Sequence, residues 1–197
     1  MIRRLLLAAS VLALAACNAP EEPATAPTPS PETPVTEPAA PAANVLSAQG
    51  FGPLRIGMTT AEIEAALGPD ANPNAVGGAD PESCDQFRPQ RAPENMLVMT
   101  QQGVLTSIWL TRTSDIPTDR GFKIGDSAAS IKAAYGSAAT VGLHKYEPAP
   151  AEYITVWSSS DHTSPAARGI KYEIGQDGNV KGIAAGGPSI SYVEGCS

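Results

Sequence analysis

Leu54–Gly68 reads LRIGMTTAEIEAALG, and Phe122–Gly136 reads FKIGDSAASIKAAYG. Aligned without a gap, seven of the fifteen positions are identical: Ile56/Ile124, Gly57/Gly125, Ala61/Ala129, Ile63/Ile131, Ala65/Ala133, Ala66/Ala134 and Gly68/Gly136. Self-similarity of this kind predicts a repeated structural unit. Each copy reads as a short strand, a turn and a helix. Thr59 with Glu62 makes a capping-box pattern, and Ser127 takes the matching cap position in the second copy. Ile63, Ala66 and Leu67 form one apolar stripe at helical spacing, and Ile131, Ala134 and Tyr135 form the other. Gly68 and Gly136 stand where a left-handed residue would end each helix.

Strand signals follow each helix. Cys84–Phe87 reads as a short edge strand bounded by Pro89. Met96–Thr100 and Val104–Thr111 read as a hairpin across Gln101-Gln102-Gly103. Alternation in the second arm sets Val104, Thr106, Ile108 and Leu110 on one face, with Leu105, Ser107, Trp109 and Thr111 opposite. Later, Tyr153–Trp157 is a strand, and Gly169–Ile174 and Asn179–Ala185 make a hairpin through Asp177-Gly178. Gln101/Gln176, Gly103/Gly178 and Ile108/Ile183 match at an offset seven residues larger than that of the helices, which a longer second loop explains. Ile190–Val193 reads as a last strand. The plan is α+β, in two tandem units of a helix packed on antiparallel strands, spanning 45–118 and 119–197.

Residues 1–16 have the order of an export signal: Arg3 and Arg4, the apolar run Leu5–Leu14, then Ala15-Ala16. That run is shorter than the ~20 residues a membrane-spanning helix needs. Leu14-Ala15-Ala16-Cys17 resembles the lipobox of bacterial lipoproteins. The resemblance implies an acylated Cys17 inserted in the lipid bilayer, and Asn18 after it is similar to the enterobacterial pattern that favours the outer membrane. Residues 17–44 are rich in Pro, Ala and Thr, with Glu21, Glu22, Glu32 and Glu37 and no basic residue. Such a segment buries too little to offset its ordering entropy and reads as an extended tether.

Behind this lipobox, the L-R-I-G-M-T-T-A-E-I pattern followed by strands resembles the BLIP-like or BamE-like group of tandem-repeat envelope proteins. The tether, the repeat and the lack of a recognisable reaction centre in the sequence point to a non-enzymatic binding or scaffolding domain that engages an envelope protein through its sheet. His144-Lys145-Tyr146 and Tyr192–Cys196 resemble stretches of lipoproteins labelled lectin, so a glycan is the alternative partner and an enzyme with an unrecognised site the third reading. The formal net charge of −7 argues against nucleic acid.

With Cys17 lipidated, Cys84 and Cys196 remain, and in an oxidising compartment they read as a disulfide. A catalytic or metal-binding cysteine is the alternative, with no CxxC or adjacent histidine to support it. Ser160-Asp161-His162 holds triad residue types, but sequence neighbours cannot adopt triad geometry. Two distant histidines do not make a zinc set, and Asp177-x-Asn179 is explained by a hairpin turn. No metal or cofactor is expected. Candidate binding residues are Trp109, His144, Lys145, Tyr146, Tyr153 and Trp157, with Trp109 the aromatic best placed for exposure because it lies opposite Ile108 and Leu110. Filling core is the competing reading for the aromatics.

Mass spectrometry of the native protein should find a diacylglyceryl-modified Cys17 at the mature amino terminus. Cys17→Ser should move the chain from the membrane to the soluble fraction. An unmodified Cys17 thiol in the native protein overturns the anchor.

Overall fold

The computed structural model describes residues 44–75, 77–111 and 113–196. The signal-like segment, Cys17 and the tether up to residue 43 lie outside the described residues. Each quoted stretch contains one eight-residue helix, α1 (Thr60–Leu67) and α2 (Ala128–Tyr135). Thr59 and Glu62 close a reciprocal capping box: Thr59 Oγ1 accepts the Glu62 N–H, and Glu62 Oε2 accepts the Thr59 N–H at 2.7 Å. Ser127 caps α2 by accepting the Ser130 N–H. Gly68 and Gly136 end the helices at positive φ, 82° and 54°, but with ψ of 167° and −129° instead of left-handed helical values. That region is open essentially to glycine alone, so the chain leaves each helix extended and without a left-handed cap.

Three two-residue strands, β1 (Leu46–Ser47), β2 (Gly50–Phe51) and β3 (Leu54–Arg55), form a small antiparallel meander before α1. The expected second copy of this opening strand is missing. Phe122 is instead held in a turn: its carbonyl accepts the Thr118 N–H, and its own N–H donates to the Thr118 hydroxyl. The remaining strands are β4 (Cys84–Phe87), β5 (Met96–Gln101), β6 (Val104–Thr111), β7 (Ala139–Leu143), β8 (Glu152–Trp157), β9 (Gly169–Ile174) and β10 (Val180–Gly186). They form one seven-stranded antiparallel sheet in the order β4-β5-β6-β10-β9-β8-β7. The fold is therefore mixed, with two antiparallel sheets and few helices, as an α+β plan requires.

Matching backbone bonds dock each quoted stretch on its hairpin. Gly57 N–H donates to Leu105 O and Thr60 N–H to Gly103 O; Gly125 N–H donates to Val180 O and Ala128 N–H to Gly178 O. The returning bonds are Leu105 N–H to Met58 O and Val180 N–H to Asp126 O. In each hairpin the register slips by one residue, leaving Thr106 unpaired in β6 and Lys181 unpaired in β10. Such a bulge reverses the side-chain alternation. Leu105 therefore joins Ile108 and Leu110 on the helix-side core, not the face with Trp109. Around them pack Ile63 of α1, Ile131 of α2 and Ile154, Tyr172 and Ile183, all within 1% of full burial.

The opposite face also carries apolar residues, and the chain covers it with a strap after β10. The Gly187 N–H donates to the carbonyl of the bulged Thr106, a 3-10 turn spans Pro188–Ser191, and Ile190 is wholly buried against Met99, Trp109 and Ala184. Here the expected strand at Ile190–Val193 is replaced. β10 already has both neighbours, β6 and β9, so no free edge lies beside it for a following strand, and Pro188 lacks a ladder donor. A Cys84–Cys196 disulfide, with α-carbons 5.5 Å apart, fastens the strap to β4.

The bond spans 112 positions, which chain-entropy arguments value at roughly 4–5 kcal/mol. Paired Cys84→Ala and Cys196→Ala substitutions should lower unfolding free energy by about 2–5 kcal/mol in denaturant titrations. Thiol titration of the unfolded, unreduced protein should detect neither cysteine.

Candidate binding surfaces

On the face away from the helices, β-strand alternation gathers Trp109 of β6, Lys171 of β9 and Tyr153 of β8. Trp109 does lie opposite Ile108 and Leu110, yet it is only 8% exposed. Its indole N–H donates to Ser107 Oγ at 2.8 Å. The Lys171 ammonium sits 4.8 Å from the Trp109 ring centre and 5.4 Å from that of Tyr153, and donates to the Tyr192 carbonyl of the strap at 2.6 Å. Two aromatic faces and one carbonyl replace the water around a lysine that is 4% exposed. Burial pushes its pKa from 10.5 down to about 8, with Glu173 acting in the opposite direction.

His144 extends this patch. Its ring stacks on Tyr153 at 4.7 Å, its Nδ1 accepts the N–H groups of Tyr146 and Glu147, and its Nε2 lies 3.1 Å from Glu173 Oε1. Because Nδ1 accepts twice, the proton of the neutral ring belongs on Nε2, which donates to Glu173. The histidine thus shapes the loop after β7. Lys145 and Tyr146 form the exposed rim: the Lys145 ammonium lies 5.0 Å over the Tyr146 ring and 3.8 Å from Glu194 of the strap. Trp157 packs against the Trp109 cluster and stacks on His162 at 4.9 Å. All six candidate residues therefore belong to strands or loops of one sheet face. Its middle is filled by Lys171 and the strap, leaving Lys145 and Tyr146 open.

The Ser160-Asp161-His162 loop does not assemble a triad. Asp161 Oδ1 accepts from the Thr163 hydroxyl and from the N–H groups of Thr163 and Ser164, and these bonds hold its carboxyl below the usual range. Asp177 accepts the Asn179 N–H within the hairpin turn. Among the described residues, no cluster of three or more His, Cys, Asp or Glu is placed to hold a metal ion, and no helix is long and apolar enough to cross a membrane.

The two sheet edges differ. Along β4, the loop at Gly77 and Gly78 runs so close that a β-carbon would come within 2.6 Å of Gln86 O and 2.3 Å of Cys84 O. β7, at the other edge, has one neighbouring strand, no charged residue, and four exposed residues of five. Val141 is 48% and Leu143 89% exposed. Val141 pairs with the buried Ile154, so both apolar side chains lie on the helix side. There they line a groove of about 450 Å³ with Ala128, Ala129, Lys132 and Pro150. No sequence signal at β7 was strong: Thr140-Val141 is a short β-branched pair before Gly142.

The chain matches no family model, no curated protein and no solved structure.

Lys171 gives the domain a measurable pH signature. Between pH about 8 and 10.5 the unfolded chain holds a proton that the folded chain has released, so stability rises with pH across that window. The full effect is on the order of 3 kcal/mol. Burial raises the phenols of Tyr135 and Tyr172, so above about pH 10 the unfolded state ionises first and stability falls. Denaturant midpoints should therefore peak near pH 9–10. Lys171→Met should remove the rise while sparing the alkaline fall.

Proposed function

We propose that this chain is an outer-membrane-anchored envelope lipoprotein, held by an acylated Cys17, whose domain resembles the BLIP-like or BamE-like group and binds a partner protein without catalysis. Its architecture is read as two tandem helix-on-strand units joined through β6 and β10. The repeated docking bonds and the bulges at Thr106 and Lys181 support that reading.

The observation that carries the binding role is the bare β7 edge. Soluble proteins blunt such edges with charges, prolines or a covering loop, and β4 is covered in that way. β7 keeps unblocked backbone groups beside an apolar groove. The occupant that fits is an extended, uncharged segment of an envelope protein. It would add a strand beside Ala139–Leu143 and send alternate apolar side chains toward Val141 and Leu143. The ion pair of Lys132 and Glu152, 2.7 Å apart, stands beside the groove and would favour a register that keeps partner charges clear of it.

A photo-crosslinking residue at Leu143 of the full chain, in intact envelopes, should yield one discrete heterologous adduct. Val141→Pro, at a position whose N–H points away from β8, should reduce that adduct at least tenfold while leaving the melting temperature within about 5 °C. An adduct unaffected by Val141→Pro, a self-adduct alone, or no adduct sinks the reading.

A further inference from the structure

A second concavity, of about 190 Å³, opens where the end of β8 meets the start of β9, and it shares no lining residue with the β7 groove. Its walls include Asp119, Arg120, Tyr135, Trp157 and Arg168. Sequence reading singled out Trp157 but neither arginine. Both cations stand without a carboxylate partner: the five ion pairs among the described residues use lysine or histidine only. In a chain with a net charge of −7, two unpaired guanidinium groups in one cleft call for an explanation.

Their surroundings hold them in place. The Arg120 guanidinium lies 5.2 Å over the Tyr135 ring, and the Tyr135 hydroxyl is fixed 3.0 Å from that of Tyr172. Arg168 uses Nη1 to donate to Pro165 O at 3.0 Å and Ala167 O at 2.8 Å, leaving its other nitrogens without a protein partner among the described residues. Burial also lowers the pKa of Arg168, the mark of a partly desolvated cation. Trp157 is set by His162 on one side and by Gly169 on the other, where any β-carbon would come within 2.6 Å of the indole.

We propose that this cleft binds one sugar-sized ring bearing a carboxylate or phosphate. Arg120 and Arg168 hold the anion, Asp119 accepts from ring hydroxyls, and Tyr135 and Trp157 wall the carbon skeleton. Planar guanidinium groups suit both anions, since each offers paired donors in a fixed fork. The volume lies below the ~300 Å³ at which drug-sized sites begin, which limits the ligand to a single ring. The carboxylate of Asp119 on the same wall disfavours a bare multivalent anion and favours a ligand that also donates hydroxyls. This inference is independent of the β7 edge and stands or falls without it.

Calorimetry on the full chain, with glucuronate, glucose 6-phosphate, glucose and inorganic phosphate as separate titrants, tests it. At least one of the first two should bind with Kd of about 1 mM or tighter, and at least tenfold more tightly than both glucose and phosphate. Which of the two wins identifies the anion. Arg120→Gln, at a side chain that makes no hydrogen bond among the described residues, should cost at least tenfold in affinity at unchanged melting temperature. Arg168→Gln should do the same, with its melting temperature read separately because the loop carbonyls lose a donor. In NMR spectra the Trp157 indole N–H should shift on binding and that of Trp109 should not. Equal binding of glucose or phosphate, no binding by either charged sugar, or wild-type affinity in folded Arg120→Gln overturns the proposal.

Discussion

The antiparallel pairing of β6 with β10 is the contact on which the rest depends. Leu110 faces Ile183, Trp109 faces Ala184, and Ile108 faces Ala185 across this seam. It turns two hairpins into one sheet and places the most apolar strands at the centre, where both faces must be kept from water. Fully burying each large apolar side chain here contributes about 1.5–3 kcal/mol. Two eight-residue helices can cover only one face. The other is closed by the strap, with Ile190 as its apolar contact and the Cys84–Cys196 bond as its fastening. The Thr106 bulge serves both sides: it returns Leu105 to the helix-side core and offers its carbonyl to the strap at Gly187.

What the residues announced in advance was local. The capping box at Thr59 and Glu62, the cap at Ser127, β4, β6, β9 and both hairpin turns follow from short-range chemistry, and the structure has them where that chemistry puts them. What escaped was set by distant partners. β7 carries too few strand-forming residues to be recognised alone and exists because β8 supplies its ladder. Ile190–Val193 has strand-like residues but follows β10, which has no free edge beside it to join. Strict alternation misplaces Leu105 because one unpaired residue reverses the count. The disulfide was legible once Cys17 was set aside as the lipobox cysteine, since pairing the two that remain needs no knowledge of the path between them.

The candidate residues show the same division. Alternation correctly separates Trp109 from Ile108 and Leu110, yet exposure depends on what lies above, and Lys171 with the strap lies above it. His144 has the residue type of a ligand or catalyst but spends both ring nitrogens on its own loop and on Glu173. Arg120 and Arg168 drew no attention in the sequence, being isolated arginines in an acidic chain; their shared cleft is visible only once β8, β9 and the C-terminal end of α2 converge. The β7 edge and this cleft gain their character from what the fold leaves uncovered, a property no linear pattern encodes.

The seam also orders events in time. During synthesis β6 emerges well before β10, with α2, β7, β8 and β9 between the two central strands, and domains form from the amino end as they appear. Until β10 arrives, Trp109 and Leu110 have no cross-strand neighbour on one side, and an unfinished sheet presents a sticky margin in its middle. Exposed apolar surface and unpaired strand edges promote misassembly, so a chain stalled before β10 is a natural client for a holdase.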